Sequence, residues 1–395
     1  MDQDCDVTAG AARMTDYYVI AHPCDLLDEG PTSALDRLHG EVGVNGLAVW
    51  AAAPESTRIR RRGIIPRTLR SRGGLFFLPD ESRYHSTRLK PVVSEGFKSR
   101  DVVSQITDGC EGRGLKVRTL VSASRTGRLP GRYPAMTCKN ALGDDSEVSI
   151  CLTHPDVQAY LTALLTDLTG ARSLSGVVLA DFEISWAEAH DPRVAADLNL
   201  GVIGQRLLGL CFCESCRQGA TLAGVEVDKA IDSAARVLDR CLEAKAPIRA
   251  DWEALFEDQP ALAAFLRFQN EALMSLMSQL RKASADELFL LEGEPGGPAV
   301  ASAYADPAVR PIRSLGTVDL NEVERRGLLV PEQVELCVTR HALRRATSAG
   351  LVTFFQKAAE RGVSAILVDG YGMLTEGDLD DLRRAIRFAR RSSGS

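Results

Sequence analysis

The chain has 395 residues, 45% of them hydrophobic and 25% charged, with a formal net charge of −6. Such a composition buries a large core and argues against a chain disordered as a whole, and a mildly acidic chain offers no global field for nucleic acid or an anionic membrane. The first residues, MDQDCDVTAGAARM, lack a basic stretch followed by an apolar one, and no apolar run reaches the roughly 18 residues of a membrane span. The expectation is therefore a cytoplasmic protein with a small-molecule partner, no nucleic acid and no membrane, homo-oligomerisation being left open. In that compartment ten cysteines are mostly reduced thiols, so a tight cluster of them points to metal or catalysis instead of disulfides.

Residues 1–15 read as a flexible polar leader. DYYVIAHP (16–23) is a β-branched and aromatic strand that stops at a proline, SALDRLHGEVG is helical, and GLAVWAAAP (46–54) is a second strand. Strand, helix, strand opens a parallel sheet. An Arg-rich loop over 55–97 follows, then a helix near 99–114, the strand LKVRTLVSAS (115–124), and a helix opened by THPDVQAY with Thr153 as N-cap. SGVVLADFEISW (175–186) is the fourth strand, and 187–284 reads as a long, mostly helical insertion. ELFLLEGEPGG (287–297), a weaker TVDLNEV (317–323), VELCVTRH (334–341) and VSAILVDGYG (363–372) complete eight strands, before a closing amphipathic helix and a flexible tail at 391–395. Eight strands alternating with helices predict a single α/β domain over 16–390, a (β/α)8 TIM barrel with its site on the loops after the strands. HPCDLLDEG after the first strand has no glycine-rich phosphate loop, which disfavours a doubly wound sheet.

Several strand ends carry groups capable of chemistry. In VVLADFEISW, Asp181 and Glu183 share a face by strand alternation, and paired acids raise each other's pKa, keeping one available as a proton donor. Further acids stand at Glu292 and Glu294 in LLEGEPGG and at Asp369 in ILVDGYG; a glycosidase needs two carboxyl groups flanking one bond. His22, Trp50, Asp369, Arg340 and His341 are candidate substrate-binding residues for stacking or polar positioning. Arg58, Arg60, Arg61, Arg62, Arg67, Arg70 and Arg72 lie in the loop after the second strand, and guanidinium groups there suit a carboxylate or phosphate on a substrate. LCFCESC (210–216) supplies Cys211, Cys213 and Cys216. Three thiolates are one short of a closed zinc site, and Cys151 or Cys138 is the nearest fourth ligand.

Taken together, these pieces resemble the barrel domain of family 42 β-galactosidases and related uncharacterised bacterial glycosyl-hydrolase-like barrels. The segments that carry the likeness are GGLFFLPDESRYHSTRLKP, GLKVRTLVSA, ICLTHPDVQAY, LCFCESC and DGYGMLTEGDLDDLRRAI, spanning about Leu75 to Ile386. The resemblance selects Cys151 over Cys138 as the fourth ligand of one structural zinc, with Cys211, Cys213 and Cys216. It implies that Glu183 is the general acid/base, in register with the family's D-N-E, although Phe182 stands where the family has Asn. The family nucleophile is a Glu on the seventh strand. Its nearest match here, Glu292, falls on the fifth. The implied activity is carboxylate-catalysed cleavage of a small glycoside, and the arginine loop suggests an anionic one; a hydrolysis-deficient sugar-binding protein, lyase or isomerase is the alternative.

Overall fold

The computed structural model describes residues 14–62, 68–191, 194, 200–244, 257–292, 309–325 and 334–392. Eight parallel strands close into a ring: β1 (Asp16–Ala21), β2 (Gly46–Ala53), β3 (Lys116–Ser122), β4 (Gly176–Ala180), β5 (Leu288–Leu291), β6 (Val309–Leu315), β7 (Glu335–Val338) and β8 (Ala365–Asp369), with β8 pairing back to β1. The barrel is the (β/α)8 fold expected from the sequence. Strands covered on both faces read as nearly continuous apolar runs, and the burial follows that rule. One residue in two, including Ile20, Ala48, Leu120, Val178, Phe289 and Leu367, fills the lumen. The alternate residues, such as Val19, Val49 and Val368, join the outer core cluster to which helices Ser348–Glu360 and Glu376–Ser392 also contribute.

One strand differs from expectation. The sixth is VRPIRSL (309–315), whereas TVDLNEV contributes the helix Leu320–Arg325. Pro311 removes a ladder donor and two arginines break the apolar run, so the segment lacks the composition of a central strand. Its flanking strands impose the pairing nonetheless. A smaller shift concerns the helix Pro155–Gly170: its N-cap is His154, whose Nδ1 accepts from the Asp156 N–H at 3.2 Å, and not Thr153.

The Arg-rich loop contains an antiparallel hairpin, Ser56–Ile59 with Thr68–Ser71, anchored over the ends of β1 and β8. Arg60 pairs with Asp28 at 2.9 Å, the Arg61 N–H donates to the Gly372 carbonyl at 2.7 Å, and Arg62 donates to the Tyr371 carbonyl at 3.0 Å. Glycine is required at 372, because a Cβ there would lie 2.2 Å from Cγ of Asp25. The insertion after β4 contributes helices Gly201–Gly209, Glu214–Leu222, Val227–Glu243 and Pro260–Ala283. Leu262, Phe265, Gln269, Leu273 and Leu276 recur at three and four spacing on the buried face of its last helix, which packs into the shared core. No described helix is long and apolar enough to cross a membrane.

The floor of the lumen holds a charge pair. Arg118 of β3 and Glu335 of β7 are 4% and 1% exposed, with Arg118 Nη2 donating to Glu335 Oε1 at 2.9 Å and Nη1 donating to Oε2. The Tyr18 and Phe289 rings lie 4.3 and 3.8 Å from the guanidinium carbon, adding cation–π attraction. Truncating one partner of a buried pair strands the other charge. Glu335→Ala is therefore expected to lower stability by about 3–5 kcal/mol in denaturant unfolding, with the double variant Arg118→Met/Glu335→Leu recovering most of the loss.

Candidate active site and cysteine cluster

Because the side chains alternate, each strand ends with one residue aimed into the mouth of the barrel. Following the lumen residues upward gives His22 after β1, Trp50 on β2, Ser122 on β3, Thr339 after β7 and Asp369 on β8. Trp50 is half-buried and packs against the lumen residues.

At β4 the alternation breaks. The strand ends at Ala180, and Asp181 has a φ of 50°, making it the lone non-glycine residue in the left-handed region among those described. That turn brings its carboxylate, which would face outward on a continued strand, to the inward Ser122, whose Oγ donates to Oδ2 at 2.5 Å. The Ser124 hydroxyl holds the Asp181 carbonyl at 2.6 Å. Arg125 then bridges the two acids: its Nε lies 3.6 Å from Asp181 Oδ1, and its Nη2 donates to Glu183 Oε1 at 3.2 Å. Asp181 and Glu183 thus converge through a turn and a shared guanidinium, and not through a common strand face. Burial pushes the Asp181 carboxyl up, Arg125 and Ser122 pull it down, and the neighbouring Glu183 raises it by less than either. The expectation that mutual repulsion dominates gives way to burial, because Arg125 offsets the two charges. Phe182 is 2% exposed and turned into the core.

A second group of ionisable residues lies where β1 meets β8. His22 Nδ1 accepts from the Cys24 N–H at 3.2 Å, which leaves the proton on Nε2, a buried atom without a hydrogen-bond partner. Burial, reinforced by Arg58 and Arg60, holds this imidazole neutral, far below its usual range. Asp25 is 3% exposed, with Arg58 Nη1 at 3.7 Å from its carboxylate. Asp369 is pushed up by burial and pulled down by Arg58 and Arg340. Arg340 itself is exposed and reaches Met373, while His341 is exposed on the following helix and makes no described contact with the others.

Glu292 continues the β5–β6 ladder, its N–H donating to the Ile312 carbonyl at 2.9 Å. Since Leu291 packs on the lumen side, alternation turns Glu292 outward, where its carboxylate lies 4.0 Å from Arg313. Glu294 and Arg67 lie outside the described residues. Arg125, Asp25 and Ser122 are members of the mouth that sequence reasoning missed. The signal available was the position of Ser122 and Arg125 in VSASRTG, at the end of β3.

Beside β4, Sγ atoms of Cys151, Cys211, Cys213 and Cys216 all lie within 4.8 Å of one another, each residue buried. Cys151 and Cys216 are 3.5 Å apart, and Cys151 and Cys211 3.8 Å, near the roughly 3.8 Å expected between sulfurs bound tetrahedrally at about 2.3 Å. Backbone and side-chain donors surround them: the Lys139 N–H to Cys211 at 3.4 Å, the Thr153 hydroxyl 3.3 Å from Cys216, and Gln269 Nε2 to Cys216 at 3.9 Å. Outer donors of this kind orient ligands and stabilise thiolates. Cys138 touches Cys151 and Cys211 but is not one of the four. The cluster fits a metal ion by donor number, spacing and burial.

No protein-family model matches the chain, and no curated protein does. Among solved structures, it is similar to a β-galactosidase from the psychrophilic Marinomonas ef1 (TM-score 0.53, 11% identity, covering 94% of this chain and 59% of that one). It is also similar to a β-galactosidase from the Antarctic haloarchaeon Halorubrum lacusprofundi (0.55, 11%, 95% and 58%) and to the PgaB (BpsB) glycoside hydrolase domain from Bordetella bronchiseptica (0.53, 13%, 93% and 98%). The chain spans less than two thirds of either β-galactosidase and nearly all of the PgaB domain. At these identities the likeness establishes a shared fold, the barrel on which these glycoside hydrolases are built.

Asp25 gives a test of the electrostatics at the mouth. Its pKa is raised above the ordinary 3.8, burial outweighing Arg58 and Arg60. Ionising it therefore costs the folded state, an effect absent below the unfolded pKa and complete above the folded one. Asp25→Asn should match the wild type in stability at about pH 3.5 and exceed it at about pH 7; thermal melts at the two pH values decide this, and a larger gain in acid would contradict it.

Proposed function

We propose that the protein hydrolyses the glycosidic bond of a small, anionic glycoside, with Glu183 as the proton donor. The observation that carries this reading is the pair Asp181 and Glu183, gathered by Arg125 at the mouth of a barrel of the glycosidase type. Glu183 is partly exposed, its side chain at 23%, so a substrate oxygen can reach it. Its role is to give a proton to the leaving oxygen as the bond to the anomeric carbon breaks. Asp181, tied to Ser122 and Arg125, positions the turn and Arg125. Trp50 supplies an apolar ring for the sugar, while the neutral imidazole of His22 is buried against Phe76. Arg58 and Arg340 are the cations available to a negative group on the substrate; Arg60 and Arg62 are committed to Asp28 and Tyr371.

A second reading, a lyase, isomerase or sugar-binding protein on the same barrel, draws support from two facts. Phe182 fills with carbon the place of a polar residue. The end of β7, Val338-Thr339-Arg340, offers no carboxylate.

In the same proposal Cys151, Cys211, Cys213 and Cys216 hold one structural zinc. Four thiolates close the tetrahedron, so the ion would supply cross-linking and leave no position for substrate. Reduced thiols in such a clasp are consistent with a cytoplasmic location.

Glu183→Gln is expected to lower kcat/KM on aryl glycosides by about 10²–10⁴-fold, with binding of the sugar retained. Full activity in that variant would remove Glu183 from its role. Elemental analysis of protein purified without chelator should find one zinc per chain, and Cys213→Ser should lose it together with thermal stability; a metal-free wild type of the same stability would contradict the clasp.

A further inference from the structure

Hydrolysis by two carboxylates requires the second to face the first across the scissile bond. Glu292 does not meet that requirement, since it is turned outward beside Arg313 on the strand adjacent to β4. We infer that Asp369, at the end of β8, is the second catalytic carboxylate, the base that activates water. The inference rests on the glycosidase reading of Glu183.

Three observations place it there. First, β8 follows β4 by four strands in a ring of eight, so the two strands lie on opposite sides of the mouth. Second, Ala365 and Leu367 belong to the lumen, and Asp369 continues their face. Third, the heights agree. The register leads from Asp369 through Ile20, Ala48 and Arg118 to Gly176 on β4. Half of the stagger of about eight residues in a closed eight-stranded barrel raises the level residue to Ala180. The turn carrying Asp181 and Glu183 begins one residue later.

The ring is about 15 Å across between opposite backbones, from eight strands about 4.8 Å apart and tilted about 36°. The inward Asp369 side chain takes up part of that gap, and a Glu183 carboxylate extended from the opposite turn would leave roughly the 6.5–9.5 Å of inverting enzymes, room for a water. The surroundings suit the task. Arg58 and Arg340 favour the carboxylate form of Asp369, while burial raises its affinity for a proton. One strand beyond β1, the partly exposed Trp50 ring on β2 seats the sugar beside it. Thr339, its other neighbour, is occupied: its hydroxyl donates to the Leu315 carbonyl at 2.9 Å and accepts from the Ala342 N–H at 3.3 Å.

In the step so defined, Asp369 accepts a proton from water as the water oxygen bonds to the anomeric carbon. The bond from that carbon to the leaving oxygen breaks with its electron pair on the oxygen, which takes the proton of Glu183. Glu183 ends as a carboxylate and Asp369 as a carboxylic acid, and proton exchange with solvent restores both. The anomeric centre is inverted.

The test uses the full chain and a panel of aryl glycosides, with the product anomer followed by NMR before mutarotation. The inverted anomer is expected from the wild type. Asp369→Asn is expected to lose at least a hundredfold in kcat, and sodium azide should restore turnover as a glycosyl azide of inverted configuration, a rescue that a structural role for Asp369 would not produce. A retained anomer, or Asp369→Asn within tenfold of the wild type, overturns this assignment while Glu183→Gln continues to test the parent reading separately. A wild type that cleaves no member of the panel overturns both. Should Asp369→Asn fail to fold by circular dichroism, the wild-type anomer decides alone.

Discussion

Closing eight parallel strands into a ring is the constraint from which the rest of the structure follows. Closure removes sheet edges and commits every second residue to the lumen. The lumen is a packed column of side chains, tied at its floor by Arg118 and Glu335 on opposed strands. Burying a charge pair is a weak source of net stability but a strong constraint on arrangement, because either charge without the other is costly. Here the pair joins β3 to β7, and the two aromatic rings beside Arg118 come from β1 and β5. Four strands are thereby gathered at one point below the mouth.

Above that floor, arginines organise the acids. Arg125 joins Asp181 to Glu183 at β4, and Arg58 approaches Asp25 and Asp369 at the junction of β8 and β1. The hairpin that delivers Arg58 is held by backbone contacts to Tyr371 and Gly372 and by the pairing of Arg60 with Asp28. Within one arginine-rich stretch, buried and paired members fix the hairpin, which leaves Arg58 to act at the mouth. The left-handed Asp181 concentrates strain where the strand gives way to the site, a placement common for functional residues.

The cysteine cluster fixes the other flank of β4. Cys151 precedes the helix between β3 and β4, and the remaining three flank the start of the Glu214–Leu222 helix of the insertion, Cys211 before it, Cys213 as its N-cap and Cys216 in its first turn. Ser185 bridges to Leu210, and the Trp186 N–H donates to the Gly209 carbonyl at 2.7 Å. The segment carrying Glu183 is thus held between the strand it leaves and the cysteines that follow. Thr153, released from capping the helix, contributes its hydroxyl to two of the sulfurs.

The sequence by itself determined the barrel and most of its strands, because apolar runs at strand length alternating with helical periods leave few other folds. It also determined the four cysteines, through a C-x-C-x-x-C spacing and a resemblance that selects Cys151. Local pattern could not identify β6, where Pro311 and two arginines are tolerated only because strands on both sides impose the pairing. Strand alternation likewise brought Asp181 and Glu183 together on paper for a reason the fold does not use: the strand ends at Ala180, and a left-handed turn with Arg125 does the work. Which distant acids face one another was decided by tertiary structure alone. Glu292 and Asp369 are both acids at strand ends in the sequence, and only ring closure and register turn one outward and set the other opposite β4.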